Sequence, residues 1–214
     1  MKLLGFEETK KILEKNNIPF VKSKICETEK QAVVFAREID YPVVLKISSP
    51  DIVHKTDVKG IKVGIENQRD LKRAFNDILF SVKNLQPNAK INGILVQKMV
   101  FGKEVIIGMK KDVNFGPVLM FGLGGIFVEA IKDISLRVAP IEKTEVGKMI
   151  KEIKGFPVLK GLRGQKSVNM EGLAKIIYNL SNLCLKEENI QEIDFNPVIV
   201  NEKRALVVDA RFLV

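Results

Sequence analysis

Four groups of residues in this 214-residue chain could do chemistry. The first is His54, the one histidine, in the polar stretch Ser48-Ser49-Pro50-Asp51-Ile52-Val53-His54-Lys55-Thr56-Asp57. A neutral imidazole near pH 7 is a good nucleophile and phosphoryl acceptor, and Lys55 beside it suits phosphate oxygens. A surface histidine hydrogen-bonded to Asp51 or Asp57 would satisfy the same pattern. The second is Lys46, at the end of the apolar run Pro42-Val43-Val44-Leu45-Lys46-Ile47. It is either a lysine snorkelling at a strand edge or a charge aimed into a cleft.

The third group is Phe121-Gly122-Leu123-Gly124-Gly125, which follows an apolar run. Glycines let backbone N–H groups approach an anion closely, although a plain strand-end turn reads the same way. It is not a dinucleotide fingerprint, because the third glycine position is Phe127, and Gly164-Gln165-Lys166-Ser167 misses the spacing of a Walker loop. The fourth is Glu192-Ile193-Asp194-Phe195-Asn196-Pro197 with Val207-Val208-Asp209-Ala210. Residues two apart in a strand share a face, so Asp194 and Asn196 point the same way. A turn at 201–203 brings Asp209 back towards them. Hard oxygen ligands on adjacent strands suit Mg²⁺ completed by nucleotide phosphates, or else form a hydrogen-bonded strand face. Gln97, Lys98, Met99 and Val100 at a strand end, with Glu104 just beyond, fit either a base-binding edge or an ordinary hairpin.

The elements that must position these residues are legible in the apolar spacing. Residues 7–16 read as a short helix. Thr28 and Gln31 form a capping box ahead of a second helix carrying Ala32, Val33, Phe35, Ala36 and Ile39. The runs 42–47 and 61–65 are β-rich and flank the histidine stretch. Asn67 caps a helix with Leu71, Ala74, Phe75, Ile78, Leu79 and Val82 on one face. The texture then turns to strands: 91–100 and 104–109 as a hairpin around Phe101-Gly102-Lys103, then 117–121 and 136–141. Helices from Thr144 and over about 171–185 precede two final strands, 190–200 and 204–214. The expectation is two α+β lobes, 1–90 carrying the histidine loop and 91–214 carrying the base, phosphate and metal residues. Strands and helices do not alternate one for one in the second half, so a doubly wound parallel sheet is not expected.

Composition narrows the function. Hydrophobic residues at 46% and charged residues at 29% describe a globular chain rather than a disordered or coiled-coil one. No apolar stretch approaches a membrane span, and the first residues lack the apolar core of a signal peptide, so neither membrane insertion nor secretion is expected. Two cysteines, Cys26 and Cys184, make no disulfide framework or thiolate metal cluster, which fits a reducing cytoplasm. The net charge of +9 is spread along the chain without a run of five basic residues. With two Tyr and no Trp there is also no aromatic platform for bases, so nucleic acid is not expected as a partner.

Taken in order, Pro42–Ile47, Ser49–Val58, Phe121–Gly125, Leu136-Arg137-Val138-Ala139-Pro140 and Glu192–Pro197 make a pattern. It resembles the ATP-grasp β subunit of ADP-forming (NDP-forming) acyl-CoA synthetases of the acetate–CoA ligase type, which are similar to succinyl-CoA synthetase. The resemblance covers essentially the whole chain. It implies an ATP-grasp fold of two α+β lobes gripping ATP or ADP. Lys46 would contact the nucleotide phosphates, Gln97, Lys98, Met99 and Val100 would lie along the adenine, and Glu104 would sit near the ribose or base. Gly124 and Gly125 would cover the phosphates with Glu129 and Arg137 close by. Asn196 and Asp209 would hold Mg²⁺, with Asp194 adjacent. His54 would be phosphorylated transiently, relaying a phosphoryl group between a histidine of a CoA-binding α subunit and ADP, in an α₂β₂ or similar complex. The implied reaction is acyl-CoA + ADP + phosphate ⇌ carboxylic acid + ATP + CoA.

One departure stands out: the family has Asp-Val-Gly-Gly after the histidine loop, and this chain has Asp57-Val58-Lys59-Gly60. Two other readings share the fold. One is a regulatory or binding module with a degenerate ATP-grasp site; the other is an ATP-grasp ligase that uses no phosphohistidine.

Overall fold

The structure, a computed structural model, describes residues 2–52, 54–125, 132–162 and 164–214. In chain order its elements are α1 (Phe6–Lys15), β1 (Ser23–Cys26), α2 (Glu29–Ile39), β2 (Val43–Ser48), β3 (Ile61–Ile65), α3 (Gln68–Leu85), β4 (Gly93–Lys98), β5 (Lys103–Asp112) and β6 (Gly116–Leu123). Then come β7 (Ile134–Val138), α4 (Lys143–Glu152), α5 (Phe156–Lys160), α6 (Met170–Lys186), β8 (Glu192–Val200), β9 (Ala205–Val207) and β10 (Ala210–Leu213). They fall into two compact units, one of residues 21–100 and one of residues 1–20 with 101–214.

In unit 21–100, β1, β4, β2 and β3 form an antiparallel sheet in that order. Val43, Leu45 and Ile47 of β2 and Ile94 and Val96 of β4 are buried with Leu71, Phe75, Ile78 and Val82 of α3 and Ala32, Ala36 and Ile39 of α2. Both helices start where the sequence says. The Thr28 hydroxyl accepts the Gln31 N–H, and Gln31 Oε1 accepts the Thr28 N–H, each at 3.3 Å. Asn67 Oδ1 accepts the Asp70 N–H at 3.0 Å. Each such cap satisfies a backbone donor that the helix itself leaves orphaned.

The second unit holds a larger antiparallel sheet, β10-β8-β5-β6-β7, with β9 also paired to β8. Its core gathers Val105, Ile107, Leu119, Phe121, Ile193 and Phe195 of the sheet with Met149 of α4 and Ile176, Ile177 and Leu180 of α6. Leu13 of α1 and Ile18 join that same core, and Phe20 bridges to Val207. The first twenty residues therefore belong to this unit, although they precede the other in sequence.

Two expectations are corrected. The runs 91–100 and 104–109 are not a hairpin: β4 pairs with β1 and β2, and β5 pairs with β6 and β8. Gly102 resembles a hairpin glycine, yet it is required because a Cβ there would overlap the Val200 carbonyl. The division at residue 90 gives way to the units above, because β4 is an inner strand of the first sheet. Two elements also went unread: β1, which is four residues without a periodic signature, and α5, a single turn. Both cysteines are buried, and burial pushes the Cys184 thiol up to about 12, which leaves it an inert core residue.

Since the two apolar cores are separate clusters, they should respond separately. Leu45→Ala should cost about 2–5 kcal/mol and speed amide hydrogen exchange across 21–100 while β5 and β8 keep their protection. Equal acceleration in both units would contradict this.

Candidate functional site

A strand presents successive residues to opposite faces. With Val43, Leu45 and Ile47 turned to the helices, Lys46 takes the other face of β2. Its cross-strand partners are Leu95 of β4 and Ile61 of β3. Gln97 is opposite Val44, one step along the same face. Lys46 and Gln97 are both buried, at 9% and 1% exposure. Burying a charge and an amide beside Val44, Leu95 and Ile61 costs stability unless each is partnered, and neither residue is without a partner.

The stretch between β2 and β3 carries His54. Its ends are tied to the sheet: the Ile47 N–H donates to Gly60 O at 2.7 Å, and Gly60 N–H donates to Lys55 O at 2.7 Å. Asp51 accepts the Lys90 N–H through Oδ2 at 2.7 Å, while its own N–H donates to Ser49 Oγ at 3.1 Å. Ile52 and Val58 are buried, at 4% and 3% exposure. His54 lies between these two plugs and is exposed. Its ring makes no hydrogen bond or ion pair with a described residue. One oxygen of Asp51 is committed to Lys90, so the alternative of a histidine pinned by that acid is not the observed arrangement. Lys59 adopts φ +53, a left-handed conformation that strains a residue bearing a Cβ. Gly60 is required, since a Cβ there would stand 2.9 Å from Lys55 O.

The strand end after Gln97 is built otherwise than expected. Lys98 Nζ donates to the carbonyls of Asp40 and Tyr41, each at 3.1 Å, just past the C-terminus of α2. A cation there meets the negative end of the helix, so Lys98 is a helix-terminating group. The Met99 N–H donates to Pro42 O at 3.1 Å, and Val100 is half-buried.

In the second unit, Glu104 is the second residue of β5 and is exposed beside the glycine turn. The Gly124 N–H donates to Glu104 O at 2.8 Å, so that amide is not free for a phosphate. A Cβ on Gly124 would stand 2.9 Å from Glu104 Cβ, which explains that glycine by packing. Gly125, at φ +68, turns the chain off the strand, and no described residue accepts its N–H. Glu129 lies outside the described residues.

Arg137 is a correction. It pairs with Leu119, whose side chain is in the core, and its guanidinium reaches α4, 3.4 Å from Glu145 and 2.6 Å from Glu152. It is on the helix-covered face. Ile134, Leu136 and Val138 take the open face, the reverse of what their apolar character suggests.

Asp194, Asn196 and Asp209 lie on β8 and the chain segment beside it. Ile193 and Phe195 of β8 enter the core, so Asp194 and Asn196 take the open face. The Asn196 N–H donates to Asp209 O at 3.1 Å, which sets the two chain segments side by side. Burial pushes the Asp194 carboxyl above its usual value; Arg211, opposite in register, opposes this, and Asp209 and Glu192 add to it. No three His, Cys, Asp or Glu residues cluster as a metal site among the described residues. The carboxylate of Asp194 and the amide oxygen of Asn196 share a strand face, and oxygen donors of this kind suit Mg²⁺, which takes few protein oxygens and completes its shell with water and phosphate.

The sequence matches the ATP-grasp domain family over residues 1–214. It is 47% identical over 207 residues to the beta subunit of acetate–CoA ligase (ADP-forming) I of Pyrococcus furiosus, covering 96% of this chain and 89% of that one. It is 44% identical over 203 residues to acetate–CoA ligase (ADP-forming) I of Archaeoglobus fulgidus, covering 94% of this chain but 30% of that longer protein. The structure is similar to the dinucleotide-forming acetyl-coenzyme A synthetase 1 of Ca. Korarchaeum cryptofilum, solved with coenzyme A and Ca-AMPCP. The TM-score is 0.95 at 42% identity, over 100% of this chain and 93% of that one. The same Korarchaeum protein has been solved with a phosphorylated phosphohistidine segment in one orientation, and with that segment pointing towards the nucleotide site.

Two outcomes follow from this geometry. Lys59→Gly should stabilise the chain by about 0.5–1 kcal/mol in chemical denaturation, because it removes a strained left-handed lysine; a loss of stability would contradict the strain. Asp194 has its folded-state pKa raised, so its contribution is favourable below the unfolded pKa and is lost as pH rises through the folded one. Without Mg²⁺, Asp194→Asn should therefore raise the melting temperature at pH 7 and not at pH 3. A gain at both pH values would contradict the assignment.

Proposed function

The chain belongs to the ATP-grasp family, among the beta subunits of ADP-forming acetate–CoA ligases, and on that premise we propose that it carries the nucleotide half of that ligase reaction. The overall conversion is acyl-CoA, ADP and phosphate to carboxylate, ATP and CoA. His54 relays the phosphoryl group. In the ATP-consuming direction a ring nitrogen of neutral His54 attacks the γ-phosphorus. The N–P bond forms as the bond from phosphorus to the β–γ bridging oxygen breaks, and ADP leaves with that electron pair. In the synthetic direction the phosphoryl group arrives from a histidine of the partner and passes from His54 to ADP.

The observation that carries this reading is the His54 segment itself: an exposed imidazole held between two buried apolar plugs, on a stretch closed by backbone hydrogen bonds at its ends. Such a segment can leave its seat as a unit. Phosphoryl transfer asks mainly for positioning and charge neutralisation. Lys46 supplies a cation to the phosphates, and Gln97 and the edge at Met99 and Val100 border the base. Glu104 faces the ribose or base, and the Gly125 amide meets a phosphate oxygen. Asp194, Asn196 and Asp209 would hold Mg²⁺, which would supply positive charge to the nucleotide phosphates. Lys98 and Arg137 act through the scaffold, as their carbonyl and carboxylate partners imply. A CoA-binding α subunit supplies the acyl, CoA and phosphate sites, in an α₂β₂ assembly of the reducing cytoplasm. Among the described residues no helix is long and apolar enough to cross a membrane.

With the α subunit present, His54→Asn should lower ATP formation from acetyl-CoA, ADP and phosphate by at least about a thousandfold while ADP affinity stays within about twofold. Retained turnover would point to a ligase that needs no phosphohistidine. Lost turnover with lost ADP binding would point to a role for His54 in holding nucleotide.

A further inference from the structure

Asp133 is a buried acid, 9% exposed, that no part of the proposed chemistry uses. It follows the connection from β6 to β7 and precedes Ile134, which pairs with Gly122. Its carboxylate accepts two consecutive backbone N–H groups, from Lys154 to Oδ1 and from Gly155 to Oδ2, each at 2.7 Å. Charge-assisted bonds of this kind are the stronger class.

Gly155 also receives the other foot of the same connection. A Cβ on Gly155 would overlap Leu123 Cδ1 and stand 3.1 Å from Asp133 Oδ2. Leu123 immediately precedes Gly124 and Gly125. Both ends of the connection thus converge on one bare Cα: Leu123 packs on it, and Asp133 accepts its N–H.

The backbone beside Asp133 adds a sign of load. Lys132 sits at φ +51, and the Ile134 N–H closes back on Lys132 O at 3.0 Å. A lysine persists in that conformation only where its surroundings over-determine it.

We propose that Asp133, with Gly155 as its seat, is a positioning residue that sets the Gly125 amide for the nucleotide phosphates. The inference rests on the nucleotide reading above. It concerns how the turn is held and not what it binds. A turn that places an amide against an anion must be held to within a fraction of an ångström, because misplacement forfeits the preorganised interaction. Asp133→Asn keeps the shape but faces one N–H donor with an NH₂ group or weakens both bonds. Gly155→Ala displaces Leu123 instead, and so moves the other foot.

The test is calorimetric binding of Mg-ADP to the full chain, with melting temperature followed in parallel. Asp133→Asn and Gly155→Ala should each weaken Mg-ADP by about tenfold or more. Ser181→Ala is the control for stability alone, because Ser181 Oγ accepts the Ile141 N–H at 3.0 Å in the same core, away from the turn. It should lower the melting temperature and leave Mg-ADP affinity unchanged. With the α subunit, labelling of His54 from acetyl-CoA and phosphate should stay within about twofold in Asp133→Asn, while labelling from ATP falls with the affinity. Wild-type affinity in both turn variants, or an equal loss in Ser181→Ala, would overturn the proposal. A wild-type chain that does not bind Mg-ADP would instead overturn the nucleotide reading on which it stands.

Discussion

The alternation of side chains along a strand is the constraint on which this molecule depends. Each sheet seals one face with helices, so every residue of opposite parity is delivered to the other face. Lys46 and Gln97 share a face because Leu45 and Val96 must enter the core. Asp194 and Asn196 share a face because Ile193 and Phe195 must enter theirs. The chemistry-bearing residues are placed by the packing of their neighbours, and a one-residue slip of β2 or β8 would bury the wrong set. The same rule gives Arg137 the parity of Ser135, whose hydroxyl donates to Met149 O beneath the helix layer.

The His54 segment answers a different demand. A group that hands a phosphoryl from one site to another cannot be built into a sheet. Here Ile52 and Val58 give the segment a seat, the Asp51–Lys90 bond holds one end, and Gly60 closes the other. Lys59 works against the seat through its left-handed backbone. In the proposed relay, the balance between two apolar plugs and one strained residue would set how readily the segment departs, on the scale of a few kcal/mol that separates conformers.

Much of this was legible in the residues. The stripe from Leu71 to Val82 announces α3, and the caps at Thr28 and Asn67 are read directly from residue type and spacing. The Asp194–Asn196 pairing follows from strand parity. What sequence cannot carry is partner choice over distance. Phe101-Gly102-Lys103 has the chemistry of a hairpin turn, yet the partners of β4 and β5 lie elsewhere, and Gly102 answers to the Val200 carbonyl. The first helix looks like part of the unit it precedes, but Leu13 packs into the other core. Asp133 shows only as a charge ahead of a strand; its meaning lies in Lys154 and Gly155, some twenty positions on. Lys98 likewise shows only as a charge at a strand end; that its ammonium meets the carbonyls of Asp40 and Tyr41 past α2 lies in residues some sixty positions back.

The central claim is that His54 carries the phosphoryl group. Its most direct test is to incubate the chain with Mg²⁺ and γ-labelled ATP, alone and with the α subunit, and to map the label by mass spectrometry. The account predicts an acid-labile, base-stable phosphoryl group on His54 that ADP removes to regenerate ATP. Label on any other residue, or none on His54 with the α subunit present, would contradict it.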